Sequence, residues 1–245
     1  MTTTLVWDLP TRLFHWALAL GFAAAAGISL GLGEHSPLFP YHSLIGLTLA
    51  FLVALRVIWG IVGTRYARFG SFLFGPGAVV NYMREVVRGG GTRWVGHNPG
   101  SACAIFAMLA LLGALAVTGV MLGLGLEGVK EVHEWCAYAM LAVVGVHVLG
   151  VLVHTVRMKE NITLGMVHGR KHAGEGEGIA SARPLAAAVL GALVVAWAVG
   201  LVSRYDAGTG VVRLPVIGTE LRLVESEGEG ERRGEPGGEH AGDDD

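Results

Sequence analysis

The sequence predicts an all-α integral membrane protein with five transmembrane helices. Apolar residues make up 52% of the 245 residues and charged residues only 16%, and the apolar residues lie in long blocks. A bilayer core about 30 Å thick requires about 20 apolar residues of helix. Five stretches meet or approach that length: 13–32, 44–62, 102–126, 135–156 and 185–202.

The loops between these stretches predict the orientation of the chain, because short positively charged loops remain in the cytoplasm. Two connections, 64–100 and 157–183, each contain five arginines and lysines, whereas 33–41 contains none and 125–134 contains Lys130 alone. The first two connections should therefore be cytoplasmic. We expect a multi-pass protein of the bacterial inner membrane, with its N-terminus in the cytoplasm and its C-terminus in the periplasm.

The composition divides the chain into three parts. Residues 1–175 hold the first four spans, residues 176–204 hold an additional transmembrane helix, and residues 205–245 form an acidic segment. We expect this last segment to be a largely disordered tail, above all from Glu225, where Gly, Glu and Asp dominate. The net charge of −2 gives no indication of nucleic acid, and we expect no nucleic-acid partner.

A shorter amphipathic helix is predicted inside the connection 64–100. After Gly75-Pro76, apolar residues recur at helical spacing from Val79 to Val87, and polar residues occupy the opposite side. This helix could lie flat at the cytoplasmic membrane surface with Trp94 as an anchor beside it. It could equally pack on the bundle, and the sequence leaves both arrangements open.

Five histidines lie in or beside the spans, where ionisable side chains are costly and usually face the bundle interior. They are His15, His42, His133, His147 and His154. His133 and His147 are 14 residues apart, which corresponds to about four helical turns and a rise of about 21 Å. These two histidines therefore share one helix face at two depths.

The alternating directions of the spans pair these histidines across the bundle. His42 and His133 should meet at the outward ends of the second and fourth spans, and His15 and His147 should meet nearer the cytoplasm. Each pair could ligate one haem iron from both sides, and such bis-histidine haem carries electrons and does not bind oxygen. No Cys-x-x-Cys-His sequence is present, so both haems would be non-covalent b-type groups.

Two further residues bear on this assignment. His154 is a rival to His147, but it would place the two haems about 31 Å apart, nearly the full hydrocarbon thickness. We therefore expect His154 beside the inner haem or at the surface. Arg56 lies within the second span, and none of the five spans contains an Asp or Glu to pair with it. Its partner could be a haem propionate, or the side chain could snorkel to the interface near Gly63.

A series of motifs connects this pattern to a known family. The motifs are Val6-Trp7-Asp8-Leu9-Pro10-Thr11-Arg12-Leu13-Phe14-His15-Trp16, then His42 with Gly46 and Arg56, then Gly63-Thr-Arg65-Tyr-Ala-Arg68-Phe69, then Gly96-His97-Asn98-Pro99, and finally His133, His147 and His154. From about Val6 to Lys171 the chain resembles the prokaryotic cytochrome b561 superfamily, which includes the b-type cytochrome subunit of nickel–iron hydrogenases. It is also similar to the cytochrome b subunit of formate dehydrogenase. The resemblance implies a four-helix di-haem membrane bundle, here with a fifth transmembrane helix, and haem ligands in the first, second and fourth helices.

The resemblance also implies a quinone site. In this family such sites lie beside the cytoplasmic haem near the start of the third span, which makes His97, Asn98 and Gly100 candidates here. Helix initiation explains part of the same motif, because Asn98 suits the N-cap and Pro99 the first helical position.

Our leading hypothesis is a di-haem b-type cytochrome subunit. It would transfer electrons between membrane quinone and a redox partner protein, which could be a hydrogenase, another dehydrogenase or a c-type cytochrome. The fifth helix and the acidic segment are absent from the shortest family members, so the partner stays open. Two alternatives remain at this stage: a stand-alone quinone oxidoreductase, and a haem-free membrane transporter or scaffold.

Overall fold

The computed structural model describes residues 2–90, 92–159 and 161–223. These residues form seven α-helices: α1 (Leu9–Leu32), α2 (Phe39–Val62), α3 (Pro76–Val87), α4 (Pro99–Gly123), α5 (Lys130–Met158), α6 (Ile162–His168) and α7 (Pro184–Val202). By length and composition, α1, α2, α4, α5 and α7 could each cross a membrane. The five-span prediction is confirmed, and α3 confirms the shorter helix.

Four of the long helices begin earlier than their apolar blocks, at or beside a proline that follows a polar cap in two of them. Asp8 Oδ1 accepts a hydrogen bond from Thr11 N at 2.8 Å at the start of α1, and Asn98 Oδ1 accepts one from Ser101 N at 2.8 Å at the start of α4. Prolines occupy the first or second helical position of four of the long helices. A proline there loses no intrahelical hydrogen bond, so these starts follow from the sequence.

Four of the long helices form a bundle, and the fifth packs outside it. α1 packs against α2, α4 against α5, and α2 against α4, while α7 contacts α1 and α2. Trp197 fixes α7 through a ring stack on Phe51 (4.8 Å between centroids) and a hydrogen bond from Nε1 to the Leu47 carbonyl (3.3 Å). We call the end where α1 begins the proximal end and the end where α7 finishes the distal end.

A small sheet closes the proximal end. β1 (Thr2–Leu5) pairs antiparallel with β2 (Arg170–Ala173), so the first residues of the chain join the segment that follows α6. The carbonyl of Gly169 accepts from both Val6 N (2.8 Å) and Trp7 N (3.0 Å). A Cβ at Gly169 would stand 2.7 Å from the Trp7 carbonyl oxygen, and its φ of 81° also favours glycine. The sequence did not predict this sheet.

A second sheet covers the distal end. It consists of β3 (Tyr205–Asp206), β4 (Val211–Arg213) and β5 (Glu220–Arg222), paired antiparallel in that order. Its inner side chains, Val212, Leu221 and Leu223, form a buried cluster with Leu44 of α2 and Leu201 of α7.

The prediction of a largely disordered segment from residue 205 is therefore wrong for residues 205–223. The strands are only two or three residues long, and burial against the helix ends stabilises them. Composition does not reveal that burial. The part of the predicted tail that begins at Glu225 lies outside the described residues.

The short helix α3 packs on the start of α4. A Cβ at Gly100 would stand 2.8 Å from Cε1 of Tyr82, so the tyrosine ring covers that glycine directly. Met83 and Val87, on the same helix, remain exposed. Trp94 contacts the Phe74 ring at 5.2 Å. The helix thus packs on the bundle in part, and its position at the membrane surface stays a prediction.

Candidate functional site

Two histidines face each other near the distal end. His42, on the first turn of α2, and His133, on the first turn of α5, have ring centroids 6.3 Å apart. A metal–imidazole bond is about 2 Å long, so two such bonds and two half-rings together span about 6 Å. The separation of these rings therefore suits two axial ligands of a single metal ion.

The Nδ1 atom of His42 is engaged by backbone. It lies 2.9 Å from the carbonyl oxygen of Ala25 on α1. A carbonyl can only accept a hydrogen bond, so Nδ1 carries the ring proton. The lone pair of His42 is consequently on Nε2, the nitrogen that a metal would bind.

Thr118 of α4 holds His133 in the same way. Its Oγ1 lies 2.8 Å from His133 Nδ1 and 2.8 Å from the Ala114 carbonyl oxygen. The hydroxyl donates its single proton to that carbonyl and accepts from Nδ1–H, which again leaves the ring lone pair on Nε2. The sequence reading missed Thr118, although a polar side chain in an otherwise apolar span was the available signal.

A cavity of ≈ 300 Å³ adjoins the distal histidines, and its lining comes from all four bundle helices. Many of the lining side chains are small, including Gly46, Ala50, Ala116 and Ala137. Small residues near a ligand histidine leave room for the flat ring of a cofactor. The cavity is therefore consistent with His42 and His133 as ligands beside it.

A second group of histidines lies toward the proximal end. His15 of α1 is within electrostatic range of His147 of α5, and His97 is within range of both and of Arg56. The ring of His15 contacts Trp16 edge-on, and its Nδ1 is buried without a hydrogen-bond partner in the described part of the chain. His154 is partly buried one heptad beyond His147 on α5.

Arg56 is a buried cation in this proximal group. Its side chain is 6% exposed, and its guanidinium lies over the Phe69 ring at 5.0 Å. Nη2 donates to the Ala67 carbonyl at 3.3 Å, while Nη1 is buried with no partner among the described residues. The side chain therefore does not snorkel to the surface, and it leaves a donor for an anionic group.

Asp8 attracts Arg56 electrostatically, but its oxygens bond other groups. Oδ1 caps α1, and Oδ2 accepts from Trp59 Nε1 (3.1 Å) and Thr64 Oγ1 (2.6 Å). One buried carboxylate thus joins the start of α1 to the end of α2. Sequence reasoning used Asp8 only as part of a motif and missed this role.

The three quinone candidates occupy the start of α4. The His97 ring lies between Trp7 (4.6 Å) and Phe72 (4.4 Å), and its Nδ1 is buried without a partner within the described residues. Burial, reinforced by the charge of Arg56, lowers the pKa of His97 to about 3, so the ring is neutral at pH 7. Asn98 Oδ1 caps α4 and Gly100 lies under Tyr82, as described above, so among the three it is His97 that has a buried ring atom without a partner in the described residues.

Comparison with known proteins gives one finding. A family model described as prokaryotic cytochrome b561 matches residues 6–169, about two thirds of the chain. The match includes α1 to α6 and all of the histidines discussed above. No curated protein and no solved structure gives a significant match.

Proposed function

Because the chain belongs to the prokaryotic cytochrome b561 family, we propose that it transfers electrons between a redox partner at its distal end and membrane quinone at its proximal end. The family is a di-haem four-helix membrane bundle, and membership makes the chain a b-type cytochrome that mediates electron transfer in the membrane. The haem-free transporter and scaffold alternatives are therefore set aside.

Our proposal assigns the histidines that would hold two non-covalent b-type haems. His42 and His133 would hold the distal haem, and His15 and His147 the proximal one. When bound, each haem supplies a one-electron couple with no open coordination position. The observation that carries the assignment is the distal pair, because two rings 6.3 Å apart both have Nδ1 engaged and Nε2 available.

Electrostatics and depth support the proximal assignment. His133 and His147 are separated along α5 by about 21 Å, which keeps both sites within a hydrocarbon core about 30 Å thick. Arg56 offers its unpartnered Nη1 at the proximal site, where a haem propionate would neutralise its charge. A buried cation without a bonded acid is costly unless such an anion is present.

We propose that quinone binds beside His97. The free Nδ1 of that ring could exchange a hydrogen bond with a quinone oxygen, and Trp7 and Phe72 hold the ring in position. Asn98 and Gly100 belong to the same proposal, because they fix the start of α4 directly after His97.

The same proposal includes the orientation of the chain in the membrane and the class of its redox partner. The arginine-rich connections lie at the proximal end, which favours a cytoplasmic proximal end and a periplasmic distal end in the bacterial inner membrane. A hydrogenase, another dehydrogenase or a c-type cytochrome would then meet the distal haem from the periplasm.

The quinone step can be tested in proteoliposomes that contain the purified chain. Added quinol should reduce the haems of the parent, and His97→Phe should keep both haems yet slow that reduction about tenfold, the effect of about 1.4 kcal/mol in the barrier. His172→Phe, at an exposed position of the same end, is the matched control. Dithionite should reduce every variant fully. Equal quinol rates for His97→Phe and the parent would remove His97 from the proposal.

A further inference from the structure

The turn between β4 and β5 carries two strongly exposed apolar side chains. It comprises residues 214–219, Leu-Pro-Val-Ile-Gly-Thr, and we call it the distal tip. Val216 is 99% exposed and Ile217 is 70% exposed. An uncharged loop with this exposure is unfavourable in water, so its surroundings in the membrane-bound protein need an explanation.

The fold places the distal tip at the level of a transmembrane helix. β3 leads away from α7 and β4 returns antiparallel to it, so the turn after β4 points back toward the bundle. Cγ of Pro215 lies 3.1 Å from the position of a Cβ on Gly200, which is two residues before α7 ends at Val202. The tip therefore lies beside the last turn of a membrane span.

Much of the backbone of the distal tip is hydrogen-bonded within the loop itself. Gly218 N donates to the Leu214 carbonyl (3.0 Å), Leu214 N to the Thr219 carbonyl (2.8 Å), and Ile217 N to the Pro215 carbonyl (2.8 Å). Pro215 itself has no N–H group. Three of the five N–H groups of the tip are thus bonded within the loop and need no water, as backbone near hydrocarbon requires, whereas those of Val216 and Thr219 have no backbone partner among the described residues.

Charged residues lie at the base of the tip and at the end of α7. Arg213 and Glu220 flank the loop and form an ion pair across the hairpin, and Arg204 Nη1 donates to the Gly200 carbonyl at 3.2 Å at the end of α7. Arginines at the end of a span are typical of the membrane–water interface. The arrangement combines flanking charges with two exposed aliphatic side chains, as in an interfacial anchor.

The backbone at Val216 has an unusual conformation. Its φ is 71°, a conformation that glycine or asparagine adopts readily and a β-branched residue adopts at a cost. The structure gives this valine no packing partner inside the protein that would offset the cost, since the side chain is almost fully exposed.

We propose that the distal tip inserts into the bilayer at the distal edge of the bundle, with Val216 and Ile217 in contact with lipid acyl chains. The tip would anchor the three-stranded sheet over the ends of α2, α4 and α7. The tip would contact the bilayer itself, because it lies beside α7. Val199 and Val202 of that helix are exposed at the same level.

Spin labelling of the full chain in liposomes tests this proposal. Cys103 and Cys136 are first replaced by serine, and a nitroxide is attached in separate proteins at Val216→Cys, Ile217→Cys and Ala207→Cys. Ala207 is exposed in the β3–β4 turn, at the opposite end of the same sheet, and is the matched control. The labels at 216 and 217 displace no packed side chain, and the haem spectrum of each protein checks that its fold is intact.

Power-saturation measurements then compare relaxation by oxygen, which concentrates in lipid, with relaxation by a water-soluble nickel chelate. We expect a severalfold higher oxygen-to-nickel ratio at 216 and 217 than at 207. Nickel accessibility at 217 equal to that at 207 would place the tip in water and overturn the proposal. Labels at 216 and 217 that neither reagent reaches would overturn it as well, because the tip would then be covered by protein.

Discussion

At the scale of single residues, the distal site depends on a side chain that ligates nothing. α4 supplies none of the four proposed ligands, yet Thr118 reaches from it to His133 and fixes which ring nitrogen carries the proton. Hydrogen bonds of this kind to a ligand imidazole orient the ring and raise its basicity. Thr118 is also one of four polar or charged side chains that are buried among the described residues, which makes its contact with His133 energetically important.

Thr118→Val should weaken the distal haem selectively. Valine keeps the shape of the side chain but cannot accept the hydrogen bond from His133 Nδ1, and loss of such a contact typically costs about 10–100-fold in metal affinity. Haem titration of the purified protein, followed by absorbance, measures the change. Thr48→Val is the matched control, because Thr48 Oγ1 donates to the Leu44 carbonyl of its own helix (2.9 Å). Unchanged affinity in Thr118→Val would show that the hydroxyl is irrelevant to the site.

Arg56→Gln should lower the midpoint potential of the proximal haem. Removal of a positive charge beside a propionate favours the oxidised iron, and a shift on the order of 60 mV corresponds to a tenfold change for a one-electron couple. A redox titration of both haems measures it. Arg68→Gln removes an exposed guanidinium from the connection that follows α2 and should leave both potentials unchanged. An equally small shift of the proximal midpoint potential in both variants would show that Arg56 does not interact with a haem propionate.

At the scale of elements, polar caps set the helix starts and also connect helices. Asp8 begins α1 as its N-cap, and its second oxygen binds Trp59 and Thr64 at the end of α2. This arrangement holds the proximal ends of the two helices that carry His15 and Arg56. The apolar blocks in the sequence predicted the spans well, but the two polar caps lie outside those blocks, so α1 begins four residues and α4 three residues before its block.

Asp8→Ala should destabilise the protein more than loss of a simple cap. The cap itself contributes about 0.5–2 kcal/mol, and two further buried donors lose their acceptor, so we expect a total of about 2–4 kcal/mol. Asn98→Ala removes a cap with one bond to Ser101 N and provides the comparison. Denaturant unfolding in detergent micelles measures both. An Asp8→Ala protein no less stable than Asn98→Ala would contradict the connecting role of Asp8.

At the scale of the whole molecule, local pattern and long-range contact differ in how far they can be predicted. The proximity of His42 to His133 and of His15 to His147 follows from alternating span directions and a 14-residue spacing, both of which are readable in the sequence. The contacts of Thr118 and Asp8 and the pairing of residues 2–5 with 170–173 join positions far apart in the chain. Nothing in the local sequence specifies such partners. The distal sheet was missed for the same reason, since its short strands depend on burial against Leu44 and Leu201.

The central feature of the molecule is the arrangement of its histidines at two levels, one distal and one proximal. α5 contributes one histidine to each level, while α1 and α2 contribute one histidine each from opposite ends of the bundle. α7 packs on α1 and α2, outside the four helices that line the distal cavity. This arrangement requires that the proposed ligands act as two fixed pairs.

Haem counting in single His→Ala variants tests that requirement most directly. The pyridine haemochrome assay gives the number of haems per chain, and the residual spectrum identifies which haem remains. His35→Ala, in the exposed loop between α1 and α2, is the control and should keep both haems. We predict that His42→Ala and His133→Ala each lose one haem and leave the same residual spectrum, and that His15→Ala and His147→Ala each lose the other. Full haem retention in His147→Ala together with loss of one haem in His154→Ala would contradict the account.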